Sequence, residues 1–381
     1  MGDFSSERRV VTMPQIPAGR SYRIKNKRSN LYMNVAAYSD DEGMELQLWH
    51  LQPASDINRR SQIWHVFPLD YGKYLLANKA SGQVVNVARN STDPGWHLQQ
   101  YPIQPLSSHP SQQWMLDDVG GGAVGIINDK SQLLATPRGW DSTPGTPLEQ
   151  WTRADESHAT AQQWMFEVED EYKPVLDLPD ITHPGIGDIH RMTSYEPTPS
   201  AKTDPVEVGA MAYPFPLVRD PAYDRRRQAQ DNPYYILRRY GFWERVYSYE
   251  HGGASDYTHT EETTVGLTTT NARTVEETTS ISVTAEASFG FKGVGASLST
   301  TISHELKVTT THEEVKSHSK KVTIERNYQA GKRVTEAIWY RSDKYVLERL
   351  NGTVVLDWTT RDPNTSVADA YPLPAREAIP E

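Results

Sequence analysis

The chain has no cysteine among its 381 residues. Disulfide staples, thiol nucleophiles and cysteine-ligated zinc are therefore excluded. Nor does any stretch approach the ~18 consecutive apolar residues of a spanning helix, which excludes a helical membrane anchor. A membrane-crossing β-strand stays open, because strands cross with about half as many residues and need only alternate apolar positions. Met1-Gly2-Asp3-Phe4-Ser5-Ser6 lacks the apolar core of a signal peptide. Positive charge is in short supply: 39 Lys and Arg stand against 49 Asp and Glu, a net charge of -10. That balance argues against a nucleic-acid partner, whose phosphates need local positive charge. Arg225-Arg226-Arg227 forms a short basic run and reads as a solvated loop.

Catalytic signatures are missing as well. His304-Glu305 and His312-Glu313 begin like a metalloprotease helix, but Val308 and Lys316 stand where the second His is required, in what reads as a strand. Gly120-Gly121-Gly122 has no following Lys-Thr or Lys-Ser, and there is no Gly-x-Ser-x-Gly elbow. Glu261-Glu262 and Glu276-Glu277 sit among Thr residues, where charged strand faces account for them. The sequence predicts a chain that is not an enzyme and holds neither cofactor nor metal. The best enzymatic alternative, a glycoside hydrolase with a lectin appendage, requires two carboxylates facing each other across a cleft.

What is present is a period. Gln62-Ile63-Trp64, Gln112-Gln113-Trp114 and Gln162-Gln163-Trp164 are Gln-x-Trp triplets spaced 50 residues apart. Such a period marks repeated units that must pack together to bury their apolar faces. Each repeat reads as short alternating strands: 31–35, 46–49 and 62–66, then 83–87, 97–101 and 112–114, then 132–136, 147–151 and 162–164. Gly, Pro, Ser and Asp clusters separate them. Three indoles, Trp64, Trp114 and Trp164, can fill a centre that no single repeat could close.

These residues resemble the ricin-type β-trefoil lectins over about residues 18–170. The resemblance implies a core made by the triplet tryptophans and a sugar pocket in each repeat. Its positions are Asn34, Gln47, Trp49 and Gln62 in the first repeat, and Asn86, Gln99, Tyr101 and Gln112 in the second. Both repeats carry Asn where the family has Asp, and Ser61 or Ser111 where it often has Asn. An amide still donates and accepts hydrogen bonds, and a ring stacks on a sugar face. The third repeat, with Ala135 and Glu149 before Trp151, reads as degenerate. The same aromatics serve equally as core or support, and a protein receptor in place of a glycan stays open.

Residues 167–232 turn acidic and then proline-rich, which reads as an extended connection with a domain boundary near 172. Residues 255–330 are loaded with Thr, Ser, Val, Glu and Lys, predicting long strands with polar faces. Within them Ile281, Val283, Ala285, Ala287, Phe289 and Phe291 alternate with polar residues. After Lys292-Gly293 the phase flips, and Val294, Ala296, Leu298, Thr300 and Ile302 carry a second run. This pattern predicts one hairpin turning at Lys292-Gly293, with arms long enough for a barrel wall of roughly 9–11 residues. An ordinary hairpin covering a soluble sheet has the same alternation.

Asn232-Pro233-Tyr234-Tyr235-Ile236-Leu237, with Tyr240 and Trp243, completes a second resemblance. Trefoil, proline junction, this segment and the stranded region together resemble the insecticidal crystal toxins related to the mosquito-larvicidal binary toxin. The resemblance implies an all-β chain: a trefoil at 1–172 and an elongated aerolysin-like β-sheet domain at 173–381. It implies binding to host gut-cell glycans or glycoprotein receptors, and membrane insertion after activation as a homo-oligomer. The inserting residues would be Ile281, Val283, Phe289, Phe291, Val294, Leu298 and Ile302. It further implies a bacterial crystal inclusion or a release without signal peptide, and action at the host cell membrane. Some members need a second protein, so a receptor-binding subunit of a binary toxin is the alternative. Residues 362–381 read as a peripheral tail, with Arg8, Arg9, Arg361 or Arg376 as points of proteolytic trimming.

Overall fold

The computed structural model describes residues 16–179, 185–196, 200–311 and 313–372. Arg8, Arg9, His312 and Arg376 lie outside them. Contacts divide the chain into two units. The first holds the residues up to Asp177 with Pro214–Tyr235 and Ala296–Thr301; the second holds Leu178–Tyr213, Ile236–Gly295 and the residues from Ile302 onward.

Twelve short strands build the first unit as a β-trefoil, four to a repeat. The first repeat contributes β1 (Arg20–Asn26), β2 (Tyr32–Val35), β3 (Leu46–Trp49) and β4 (Ile63–Leu69). The second contributes β5 (Lys73–Asn78), β6 (Val84–Val87), β7 (Leu98–Tyr101) and β8 (Trp114–Gly120). The third contributes β9 (Ala123–Asn128), β10 (Leu134–Pro137), β11 (Leu148–Trp151) and β12 (Trp164–Glu171). β12 returns to pair with β1, from Arg20 opposite Glu171 to Asn26 opposite Trp164, and so closes the ring. The first strand of each repeat escaped the sequence reading, because none of the three stands beside its triplet.

Trp64, Trp114 and Trp164 are sealed from solvent in one core. Each indole Nε1 donates to a backbone carbonyl on the repeat's second strand: Met33 O, Val85 O and Ala135 O, at 3.3, 3.0 and 3.1 Å. The indole N–H would otherwise be buried without a partner, at a cost of about 1–3 kcal/mol. Ile24, Leu76 and Ile126 fill one equivalent layer and Leu46, Leu98 and Leu148 another. The repeats are also stitched head to tail. Gly43 N donates to Gln100 O (2.9 Å), Gly95 N to Gln150 O (2.8 Å) and Gly145 N to Leu48 O (2.7 Å). These glycines have φ of +79°, +86° and +91°, a backbone state that side-chain-bearing residues rarely adopt.

In the second unit six strands form a sheet in the order β13-β14-β19-β20-β15-β18. They are β13 (Val206–Pro214), β14 (Tyr234–His251), β15 (Tyr257–Leu267), β18 (Ser319–Tyr328), β19 (Val334–Arg349) and β20 (Val354–Tyr371). β16 (Ile281–Val283) and β17 (Phe289–Phe291) pair separately. Short helices are α1 (Lys173–Leu176) and α2 (Arg225–Asp231) in the first unit, α3 (Ala272–Thr279) in the second, and α4 (Ser299–Leu306). Among the described residues no helix is long and apolar enough to cross a membrane.

Three expectations are corrected here. The tail is not peripheral from 362, because β20 pairs with β19 as far as Tyr371 opposite Thr335. Pro363, which suggested a tail, sits where the register slips between Asp362 and Ser366, a bulge that needs no donor from it. Arg361 is no trimming point: it lies in mid-strand, its guanidinium 2.6 Å from Glu244 and bonded to Thr263. The run Arg225-Arg226-Arg227 lies on α2, not on a loop. Arg225 Nη1 donates to Phe215 O and Val218 O, and Arg226 pairs with Asp40 at 2.8 Å.

Candidate functional site

The first two repeats bring their proposed sugar positions together, but with the polar ends turned inward. Asn34 faces Gln47 across the β2–β3 ladder and Asn86 faces Gln99 across β6–β7. Asn34 is fully buried; its Nδ2 donates to Val35 O at 2.7 Å and its Oδ1 accepts from Ser61 Oγ at 2.9 Å. Asn86 Oδ1 accepts from Ser111 Oγ at 3.0 Å in the same way. The triplet glutamines are buried and brace the chain that follows each ring. Gln62 Nε2 donates to His50 O while its Oε1 accepts from Gln52 N; Gln112 does the same with Pro102 O and Gln104 N. Trp49, Tyr101 and Gln47 are half-buried, so the accessible part of both sites is mainly ring. Ser61 and Ser111, standing in for the family's Asn, are what occupies the Asn oxygen.

In the third repeat the residue opposite Glu149 is Thr136, not Ala135. Ala135 instead accepts the Trp164 indole, as Met33 and Val85 do for their tryptophans, so the sequence reading was one residue out. Gln162 Nε2 donates to Thr136 Oγ1 (2.9 Å), Glu149 pairs with Arg138 (3.2 Å), and Trp151 is 37% exposed. Thr136 was hidden because the run Leu133-Leu134-Ala135-Thr136 offers no polar–apolar phase to count from.

Two further sets went unread. Gln100 Nε2 donates to Ser39 O and Asp41 O (3.0 and 2.7 Å) while Oε1 accepts from Ser81 Oγ (2.8 Å). Gln150 repeats this with Ser91 O, Asp93 O and Ser131 Oγ, whereas Leu48 takes the equivalent place in the first repeat. Asn26, Asn78 and Asn128, all fully buried, each open an Asn-x-x-Ser turn and reach the backbone of Ala161, Ser61 and Ser111. That recurring Asn-x-x-Ser was the available signal. His65 is buried too, its Nε2–H donating to Ala229 O at 2.7 Å, and burial pushes its pKa down to about 3.

The segment 281–302 departs from the predicted single hairpin. β16 and β17 form a short hairpin of their own, Ile281 opposite Phe291, turning at 284–288 and not at Lys292-Gly293. Thr284 Oγ1 and Ser288 Oγ lie 2.7 Å apart across that turn. Residues 293–298 are 3-10 helix and 299–306 are α4, so His304-Glu305 is helical, with Val308 where a second His would be needed. The second apolar run was ambiguous: Val294, Leu298, Ile302 and Leu306 recur every fourth residue, which satisfies strand alternation and a helix face alike. Ile281, Val283, Phe289, Leu298 and Ile302 are buried, and Phe291 and Val294 half-buried. Phe289 meets Tyr345 at 5.1 Å between ring centres, and Tyr345 stacks on Trp358. Arg239 Nη1 donates to Leu306 O and Lys307 O, and Nη2 to Asp343. Between this segment and the sheet lies a polar cavity of about 210 Å³ lined by Arg239, Glu286, Ser288, Lys307 and Asp343. Among the described residues no group of three His, Asp or Glu is placed to hold a metal ion.

Comparison with known proteins now bears on both units. Residues 60–151 match the ricin-type β-trefoil lectin domain-like family, and residues 206–373 match the Insecticidal Crystal Toxin, P42 family. Neither is an enzyme family. Insecticidal crystal protein Cry35Ab1 of Bacillus thuringiensis is 23% identical over 327 residues, spanning 78% of this chain and 74% of its own. The crystal structure of Cry35Ab1 superposes with a TM-score of 0.75 at 19% identity, covering 94% of this chain and 91% of that one. The fold of that toxin is therefore the fold of this chain, whose residues 206–373 match the insecticidal crystal toxin family model and follow a β-trefoil that matches the ricin-type lectin family model.

Proposed function

We propose that the protein is an insecticidal β-pore-forming toxin. Residues 1–172 bind glycans or glycoprotein receptors on gut cells, and residues 173–381 permeabilise the membrane by oligomeric insertion of the 281–302 segment as a hairpin. It is delivered from a bacterial crystal inclusion and acts at the host cell membrane.

The observation that carries this reading is the ladder between β15 and β18, which runs from Tyr257 opposite Tyr328 to Gly266 opposite Ser319. Continued rung by rung, that register sets Val283 opposite Ile302, Ala287 opposite Leu298, Phe289 opposite Ala296 and Phe291 opposite Val294. Lys292-Gly293 is left as a two-residue turn, the length that joins tight hairpins. The opposite face pairs Ser282 with Ser303, Thr284 with Thr301 and Ser288 with Ser297. The phase agrees with the folded ladder, where Val265, Val322 and Ile324 turn inward and Thr264, Thr323 and Glu325 face solvent. The short hairpin, α3 and α4 are then a stored form of a longer ribbon whose base, 257–266 against 319–328, is already paired. A lone ribbon leaves backbone groups unpaired in lipid, so several subunits must close the wall. Many weak trefoil contacts add up once subunits share one surface.

The test is dye release from receptor-bearing insect-gut vesicles, with and without brief trypsin treatment. Release by the purified chain is expected. Binding without release under both conditions overturns the reading and leaves a receptor-binding subunit of a binary toxin.

A further inference from the structure

We infer that the conductance is cation-selective, through a ring of Glu286 carboxylates in the lumen. This rests on the pore reading above and adds what passes through. In the continued β15–β18 register the polar face of the distal arms carries Ser, Thr and Gly from Ser280 to Ser303, with Glu286 as its one charged side chain. Glu305 follows at the mouth, opposite Ser280, and is again acidic. Basic residues fall elsewhere: Lys292 is in the turn, beyond the wall, and Lys307 lies diagonal to Glu276, two rungs along the same face.

Glu286 stands opposite Ser299, five residues from Phe291, the last paired residue before the turn, and inside the stretch that spans lipid. In the folded chain its carboxylate is exposed and neutralised by Lys320 Nζ at 2.8 Å, which holds its pKa below the usual carboxylate value. Lys320 remains opposite Val265 in the ladder, more than a whole arm away from Ser299. Extension therefore strips Glu286 of its counter-charge and repeats it once per subunit around a narrow aqueous ring. Acidic rings of this kind concentrate cations and exclude anions.

The experiment is single-channel recording in planar bilayers under a KCl gradient. Wild type should pass K⁺ several-fold better than Cl⁻. Glu286→Gln should bring the ratio near parity, and Glu286→Lys should invert it. Glu261→Gln, one strand face over, should change nothing. Channels that prefer anions, or that keep their selectivity in Glu286→Gln, overturn the inference while leaving the pore reading intact. Absence of any conductance overturns the pore reading and this inference with it.

Discussion

A reversible lock on the 284–288 turn separates the stored form from the extended one. Thr284 Oγ1 and Ser288 Oγ lie 2.7 Å apart and both residues are half-buried, so Thr284→Cys with Ser288→Cys places two sulfurs within bonding reach. The chain has no cysteine of its own, so no competing pair exists. A disulfide holds its Cα atoms within roughly 7 Å. In the extended ribbon the same residues lie along one strand, four positions apart, at ~13 Å. The two geometries are incompatible, and the bond must prevent extension. By chain entropy a loop this short stabilises the stored form by about 2 kcal/mol. The oxidised protein should bind gut-cell vesicles normally and release essentially no dye, and dithiothreitol should restore release. Oxidised protein that releases dye as fast as reduced protein would show that the 284–288 turn survives in the pore and that Val283 never comes to lie opposite Ile302.

The remaining expectations concern the trefoil. Gln100→Ala removes three hydrogen bonds made by a buried side chain, so it should cost about 2–4 kcal/mol in urea unfolding; a loss below ~0.5 kcal/mol would deny the stitching role. His65 has its folded pKa depressed to about 3, below an unfolded value of ~6.5, so its contribution is present above pH ~6.5 and lost as pH falls toward 3. Stability should drop by about 2–3 kcal/mol between pH 7 and 4.5, and His65→Gln should flatten that slope in urea midpoints measured across pH. Trp49→Ala combined with Tyr101→Ala should weaken cell binding about tenfold with native circular dichroism; unchanged binding would move recognition off these rings.

The trefoil was legible because its signal is redundant. Three triplets fall in step, and each Trp must bury both its ring and its N–H, so one misjudged strand cannot disturb the rest. The sites inside it were less so: Ala135 and Thr136 were confused for want of a polar neighbour to set the phase. Gln100 and Gln150 were passed over because a strand glutamine announces neither burial nor a partner some 60 residues away. In 281–306 the alternation was read properly and the folded conformation was not. Apolar residues at every fourth position suit either a strand or a helix, and packing chose the helix after residue 298. Local sequence could not decide, since the choice depends on the Tyr345 ring that Phe289 meets on the sheet and on Arg239 of β14, which receives the carbonyl end of α4.

The head-to-tail stitching of Gly43, Gly95 and Gly145 makes the three repeats a cycle, with the first holding the second, the second the third, and the third the first. A cycle has no terminal member. The peptide links between repeats, at Asp70–Gly72 and at Gly120–Gly122, thus join neighbours that the stitching also joins without them. Chain order within this unit is a matter of synthesis more than of architecture, and cutting one link while joining the original ends would leave every stitch in place.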